Sequence, residues 1–284
     1  MNNYLLWPLR SFFYVTSRVV PFVAVRAAEK LFTTPLYSKR RDVEKEILEH
    51  VERFPIEMEN RKPLAGYRWG NESDPVILLV HGWTATATCF VNFIEPLLEK
   101  GYQVVSYDSV AHGESSGVSI SMTEWADLLV LVMEKIGKVH AIVGHSLGGG
   151  ATVIASTLKL DTDKIVLISP VSDIVGVTEQ FAHALSIPAK TIEKVRQYAW
   201  QKYHVSASKY GTDWQDVFVS DFKVPTLIIH DKDDKEIDIE NGRRLARQWH
   251  WADYIETERL GHRRILLNPM VIGSVTKFLA EPVT

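Results

Sequence analysis

Residues 139–158 read Val139-His140-Ala141-Ile142-Val143-Gly144-His145-Ser146-Leu147-Gly148-Gly149-Gly150-Ala151-Thr152-Val153-Ile154-Ala155-Ser156-Thr157-Leu158. An apolar, β-prone run ends in Gly144-His145-Ser146-Leu147-Gly148 and passes into a segment of helical character. A serine on so sharp a strand-to-helix turn has a strained backbone, and the positions two before and two after it must carry no bulky side chain. Gly144 and Gly148 meet that demand. The turn points the hydroxyl outward at a helix amino end, where N–H groups and the helix dipole favour developing negative charge.

Outward from this turn the chain keeps a βαβ rhythm, the sign of a mostly parallel sheet. Val76 to Val80, Val104 to Tyr107, Ala141 to Val143, Ile165 to Ile168 and Thr226 to Ile229 are near-continuous Val, Ile and Leu, as strands covered on both faces must be. Asp253 to Glu258 reads as the last strand. Phe54 to Met58 and Ala65 to Trp69 read as two earlier, antiparallel strands. Helices are expected near 88–99, 122–136, 147–158, 240–250 and 270–280. After Pro170 the next sheet strand arrives only at Pro225, too long an interval for one crossover helix. Residues 171–224 are therefore expected to form a helical cap inserted over the carboxyl edge of the sheet, where open α/β folds bind ligands.

With 284 residues, 46% hydrophobic and 24% charged, the chain has the balance of a globular protein, and one elaborated α/β domain over 42–284 is the expectation. A net charge of −3 argues against a nucleic-acid partner. Cys89 is the sole cysteine, which excludes an internal disulfide and Cys-based zinc sites and suits a reducing, cytoplasmic setting. No metal-ligand spacing stands out, and no cofactor is implied.

Residues 1–41 form a basic, aromatic arm with helical expectation. Seven bases (Arg10, Arg18, Arg26, Lys30, Lys39, Arg40, Arg41) face one acid, Glu29, amid Trp7, Phe12, Phe13, Tyr14 and Phe22. Its arginines interrupt every apolar run before the roughly 18 residues that a spanning helix needs. A secretory signal fits poorly, because the Val19 to Val25 core is short, holds Pro21 and leads into Arg26. Two readings remain: a helix at a membrane surface, giving peripheral contact, or a helix packed on the domain or a partner.

Four motifs in this order, His81-Gly82-Trp83, Gly144-His145-Ser146-Leu147-Gly148-Gly149, His230-Asp231-Lys232-Asp233-Asp234-Lys235-Glu236-Ile237 and Gly261-His262, resemble the α/β-hydrolase family of serine esterases and lipases, including its lysophospholipase-like members. The resemblance covers roughly residues 66–279. It implies Ser146 as nucleophile, His262 as base and Asp234 as the acid that orients the base, with Asp231 as the alternative acid because it stands where the family generally has glycine. It also implies an oxyanion hole from the backbone N–H groups of Leu147 and Trp83, whose ring is a candidate wall of the acyl pocket. The segment Tyr107 to Ser115 looks like the family's Asp-x-Arg-Gly-His-Gly-x-Ser turn, but no arginine is present in it. His81, His112, His145 and His230 read as structural, each at a strand end or tight turn. The activity implied is cleavage of small carboxylic esters with short to medium acyl chains through an acyl-enzyme. Thioesterase, lysophospholipase-type lipid hydrolase, acyltransferase and non-catalytic small-molecule receptor are the alternatives, since a fold alone never names its chemistry.

Overall fold

A computed structural model describes residues 3–36, 39–59, 62–158, 160–214 and 216–282, with residues 1, 2, 37 and 38 of the arm outside that set. Among these residues eight strands form one sheet: β1 (Glu52–Ile56), β2 (Leu64–Trp69), β3 (Val76–Val80), β4 (Gln103–Tyr107), β5 (Val139–His145), β6 (Thr162–Ile168), β7 (Thr226–Asp231) and β8 (Asp253–Thr257). Their spatial order is β1-β2-β4-β3-β5-β6-β7-β8. The β1–β2 and β2–β4 pairings are antiparallel and the rest parallel. The first strand lies two residues earlier than its apolar pattern suggested; it is an edge strand, holds Pro55, and has only Ile56 fully covered, so little in it fixes a register.

The arm supplies α1 (Asn3–Val19) and α2 (Pro21–Thr33), and α3 (Asp42–Glu46) leads into β1. A 3₁₀ turn, Ala87–Phe90, precedes α4 (Val91–Leu98), so the helix expected from 88 starts later. Then follow α5 (Met122–Ile136), α6 (Leu147–Ser156), α7 (Ile174–Ala184), α8 (Ala189–Lys202), α9 (His204–Ala207), α10 (Glu240–Gln248), α11 (Gly261–Arg264) and α12 (Pro269–Ala280). Ser121 caps α5 by accepting the Glu124 N–H while Glu124 reaches back to the Ser121 N–H, which fixes where that helix begins.

Period-two alternation divides the strands between two cores. Leu78, Val80, Ile142 and Ile165 pack with Trp125, Leu129 and Ile154 of α5 and α6. Ile77, Leu79, Val143 and Val166 pack with Phe93 and Leu97 of α4 and with Val275 and Leu279 of α12 on the other face. The two layers hold the sheet rigid and leave its carboxyl edge free for loops. The 171–224 interval holds α7, α8 and α9; α7 and α8 share a cavity with Trp83 and Leu147, whereas α9 packs on α5.

The arm is not detached from this body. Phe13, Ala24, Val25 and Ala28 are buried against Ala182, Leu185, Ile192 and Val195 of α7, α8 and their connection. Glu29, 5% exposed, accepts bonds from Tyr203 Oη at 2.5 Å and Lys202 Nζ at 2.8 Å. Farther on, Arg40 enters the domain and meets Asp108 at 2.7 Å. Asp108 is the aspartate of the turn that lacks an arginine of its own, so the cation beside it comes from 68 residues away. Among the described residues no helix is long and apolar enough to cross a membrane.

Candidate active site

Ser146 has φ 57° and ψ −123°, a left-handed conformation in which a side chain is strained. The surroundings hold it there. A Cβ on Gly148 would lie 2.3 Å from the His81 carbonyl oxygen, and one on Gly144 would lie 2.7 Å from the Gly149 Cα, so both flanking positions must be glycine for α6 to come this close to β3 and β5. The Ser146 N–H donates to the Ile168 carbonyl at 3.0 Å and so anchors the turn to the end of β6.

Three side chains meet at the carboxyl edge: Ser146 from the turn after β5, Asp234 from the loop after β7, and His262 from the short α11 that follows β8. Ser146 Oγ is 2.8 Å from His262 Nε2, and His262 Nδ1 is 2.7 Å from Asp234 Oδ2. An ionised carboxylate only accepts, so the proton sits on Nδ1, and Nε2 presents its lone pair to the serine hydroxyl. The other Asp234 oxygen accepts the N–H groups of Glu236 and Ile237, each at 2.9 Å. Burial alone would raise the Asp234 pKa; hydrogen bonds from His230, His262 and Ile237 outweigh it and hold the carboxyl well below the ordinary range. His230, wholly buried, reaches the Ile237 carbonyl at 3.1 Å and Asp234 Oδ2 at 3.4 Å through Nε2, so it backs the carboxylate from behind.

Asp231 stands apart from this line. Its Oδ1 accepts the N–H groups of Asp233 (3.0 Å) and Gly261 (2.8 Å), and its Oδ2 accepts Thr257 Oγ1 (2.7 Å) and the Leu260 N–H (3.1 Å). Burial pushes its pKa up, but these donors prevail and keep it low. Asp231 therefore ties down the loop that presents His262, its two oxygens being taken by these four donors and not by the imidazole. His145 braces the same loop, donating from Nε2 to the His262 carbonyl at 2.9 Å. Burial, and then the neighbouring His262, lower the His145 pKa to about 3, so the ring stays neutral. His81 spans β3 and β4, with Nδ1 donating to the Gly82 carbonyl at 2.8 Å and Nε2 accepting the Ser109 N–H at 3.0 Å.

The loop after β3 lies against the serine. A Cβ on Gly82 would come within 2.7 Å of Ser146 Cβ, which explains glycine at the approach to Trp83. The N–H groups of Leu147 and Trp83 have no acceptor among the described residues, and both residues line the cavity beside the serine. That cavity, about 170 Å³, is overwhelmingly apolar, with Trp83, Trp125 and Ile174 in its wall. Part of the wall comes from α2, through Glu29, Leu31, Phe32 and Thr33. Phe32 packs on Phe181 of α7 with ring centroids 4.7 Å apart, which joins the arm to the helices over the sheet. These arm residues escaped the sequence reading, because an apolar helical stripe does not name what it will cover. Among the described residues no group of three or more His, Cys, Asp or Glu side chains is arranged to hold a metal ion.

A family model described as the alpha/beta hydrolase family matches residues 77–272, which contain the elbow, the Asp234 loop and His262. The chain belongs to the alpha/beta hydrolase family. A bifunctional esterase/perhydrolase of Acinetobacter calcoaceticus is 29% identical over 226 residues, which are 63% of this chain and 81% of that one. A lysophosphatidylserine lipase of Danio rerio is 27% identical over 231 residues, 74% of this chain but only 59% of the relative's length. Among solved structures, an esterase of Pyrococcus furiosus superposes with a TM-score of 0.64 at 19% identity, covering 87% of this chain and 97% of that one, which shows a shared fold. This hydrolase thus keeps the family's sheet while adding α1 and α2 ahead of the matched region.

Proposed function

We propose that this hydrolase is a serine esterase that cleaves carboxylic esters with short to medium acyl chains through an acyl-enzyme. The observation that carries the reading is the unbroken hydrogen-bonded line from Ser146 Oγ through His262 to Asp234, next to an apolar cavity whose wall includes Trp83 and Leu147, the residue after the serine. Ser146 Oγ attacks the ester carbonyl carbon as His262 Nε2 takes its proton, and the carbonyl π pair moves onto oxygen. The N–H groups of Leu147 and Trp83 receive that oxyanion, which costs little reorganisation because they have no other acceptor. Collapse re-forms the carbonyl and breaks the bond to the leaving oxygen, which takes the proton from His262. Water, deprotonated by the same imidazole, then releases the acid and restores the serine. Asp234, held ionised by its donors, fixes the tautomer and stabilises the imidazolium.

The Acinetobacter and Danio rerio relatives support the ester as the bond cut. The apolar cavity supports a hydrocarbon acyl group rather than a charged one. The test is covalent labelling of the full chain by a fluorophosphonate, together with turnover of p-nitrophenyl esters of graded chain length and of matched acyl-CoA thioesters. An adduct on Ser146, lost in Ser146→Ala along with turnover, supports the reading. A strong preference for the thioesters would replace esterase by thioesterase, and absence of any adduct would leave the chain a receptor.

A further inference from the structure

The arm has two faces, and only the inner one is spent on packing. On the outer face Trp7 is 70% exposed, Tyr14 56%, Val15 54%, Val19 72% and Phe22 66%, whereas Phe13 on the inner face is fully buried. A solvent-facing helix surface normally carries charge; this one carries aromatics and valines, which water penalises. Cations accompany them. Arg18, Arg26 and Lys30 are exposed and have no acidic partner among the described residues, although the chain as a whole has a net charge of −3. Arg18 lies over the Tyr14 ring at 3.7 Å, keeping a guanidinium within the aromatic patch. Where α2 meets α8, a shallow groove has an apolar floor of Pro21, Phe22, Val25 and Tyr198 and a rim made of Arg26 and Lys194. An apolar floor under two cations complements an anionic amphiphile.

We infer that α1 and α2 form a docking face that seats the protein on an anionic lipid surface, with Trp7, Tyr14 and Phe22 in the headgroup layer and Arg18, Arg26 and Lys30 against lipid phosphates. Aromatic side chains with one apolar body settle at that depth, and basic residues near the surface add Coulomb attraction. The inference stands independently of the ester reading. It nevertheless has a consequence for it: the opposite face of α2 walls the cavity, so docking brings the cavity close to the lipid.

The experiment is co-sedimentation of the full chain with vesicles of phosphatidylcholine plus phosphatidylglycerol and with vesicles of phosphatidylcholine alone. The paired variants are Trp7→Ser with Tyr14→Ser, and Arg18→Gln with Lys30→Gln; all four positions are exposed, and circular dichroism checks the fold. Binding is expected on the anionic vesicles, to weaken by about fivefold for each base neutralised, and to be lost on removal of the two aromatics. Turnover of a soluble ester, read in parallel, is expected to stay at the parent level; vesicle binding without any turnover would sink the esterase reading and leave the docking face standing. Equal binding to both vesicle types, or none to either, overturns the inference. So does a dimer in sedimentation velocity that the Trp7→Ser, Tyr14→Ser pair dissolves while vesicles bind nothing, since the apolar face would then belong to a second copy.

Discussion

Asp231, the last residue of β7, and Asp234, three residues on in the following loop, grip two consecutive residues: Asp231 accepts the Gly261 N–H at 2.8 Å, and Asp234 accepts His262 Nδ1–H at 2.7 Å. One carboxylate holds the backbone that carries the imidazole and the other holds the imidazole itself. A sequence with four acids crowded in this loop does not by itself separate these roles, and substitution should.

Asp234→Asn replaces an acceptor by an amide that can present N–H to the ring, favouring the tautomer with its proton on Nε2, where it can no longer accept from Ser146. Turnover is expected to fall by about 10⁴, the loss seen for the same change in the serine-protease triad. Steady-state kcat with a soluble p-nitrophenyl ester reads it. A decrease of less than about tenfold would remove Asp234 from the mechanism.

Asp231→Asn acts through stability. Four donors converge on this buried carboxylate, and an amide turns one of its acceptors into a donor facing donors. A loss of about 3 kcal/mol is expected in urea denaturation. The residual folded protein should keep most of its kcat at low temperature, the opposite pattern to Asp234→Asn. Reversed patterns would exchange the two assignments.

Acid should unfold this protein earlier than carboxylates alone require. Burial pushes the pKa values of His81, His112 and His145 down to about 4, 3 and 3, with His81 adding to the effect on His112 and His262 to that on His145. Unfolded, each returns to about 6.5. Below that value the unfolded chain binds protons that the folded chain refuses, so stability is complete above about pH 6.5 and declines as pH falls toward the folded values. The decline approaches about 1.4 kcal/mol per pH unit for each histidine. Urea midpoints between about pH 6.5 and 4.5 measure it, and His112→Gln should remove roughly a third of the slope. A flat profile over that window would mean the rings are protonated in the folded state.

Sheet strands were legible because strands covered on both faces must be apolar throughout, and the elbow was legible because Ser146 needs glycine at 144 and 148 for lack of space. The grouping of Ser146, Asp234 and His262 was implied by the resemblance to the family's motifs, with Asp231 left as the alternative acid. Contacts between distant segments left no local trace. Nothing around Tyr107 to Ser115 says that Arg40 will stand beside Asp108, and nothing in the pattern of α2 says that it will close a cavity between α7 and α8. Such pairings depend on where whole elements land, whereas spacing within one element is written in its own residues. The two-residue offset of β1 has the same origin: an edge strand with one covered side chain leaves its register to the partner, β2.

The cavity wall contributed by the arm carries the remaining prediction. Phe32 lines the cavity and leans on Phe181, so its ring occupies volume that an acyl chain would otherwise fill. Phe32→Ala removes that ring from a site braced on both sides, by Glu29 with Tyr203 and Lys202, and by the Thr33 carbonyl, which accepts the Ile120 N–H at 2.9 Å. The surroundings therefore cannot close in fully, and space remains. The preferred acyl chain should lengthen, with kcat/KM rising for longer p-nitrophenyl esters and falling for the shortest, whose contacts are lost. A uniform drop across all chain lengths, matched by a lower Tm, would show instead that Phe32 only fastens the arm and that acyl length is set by the helices over the sheet.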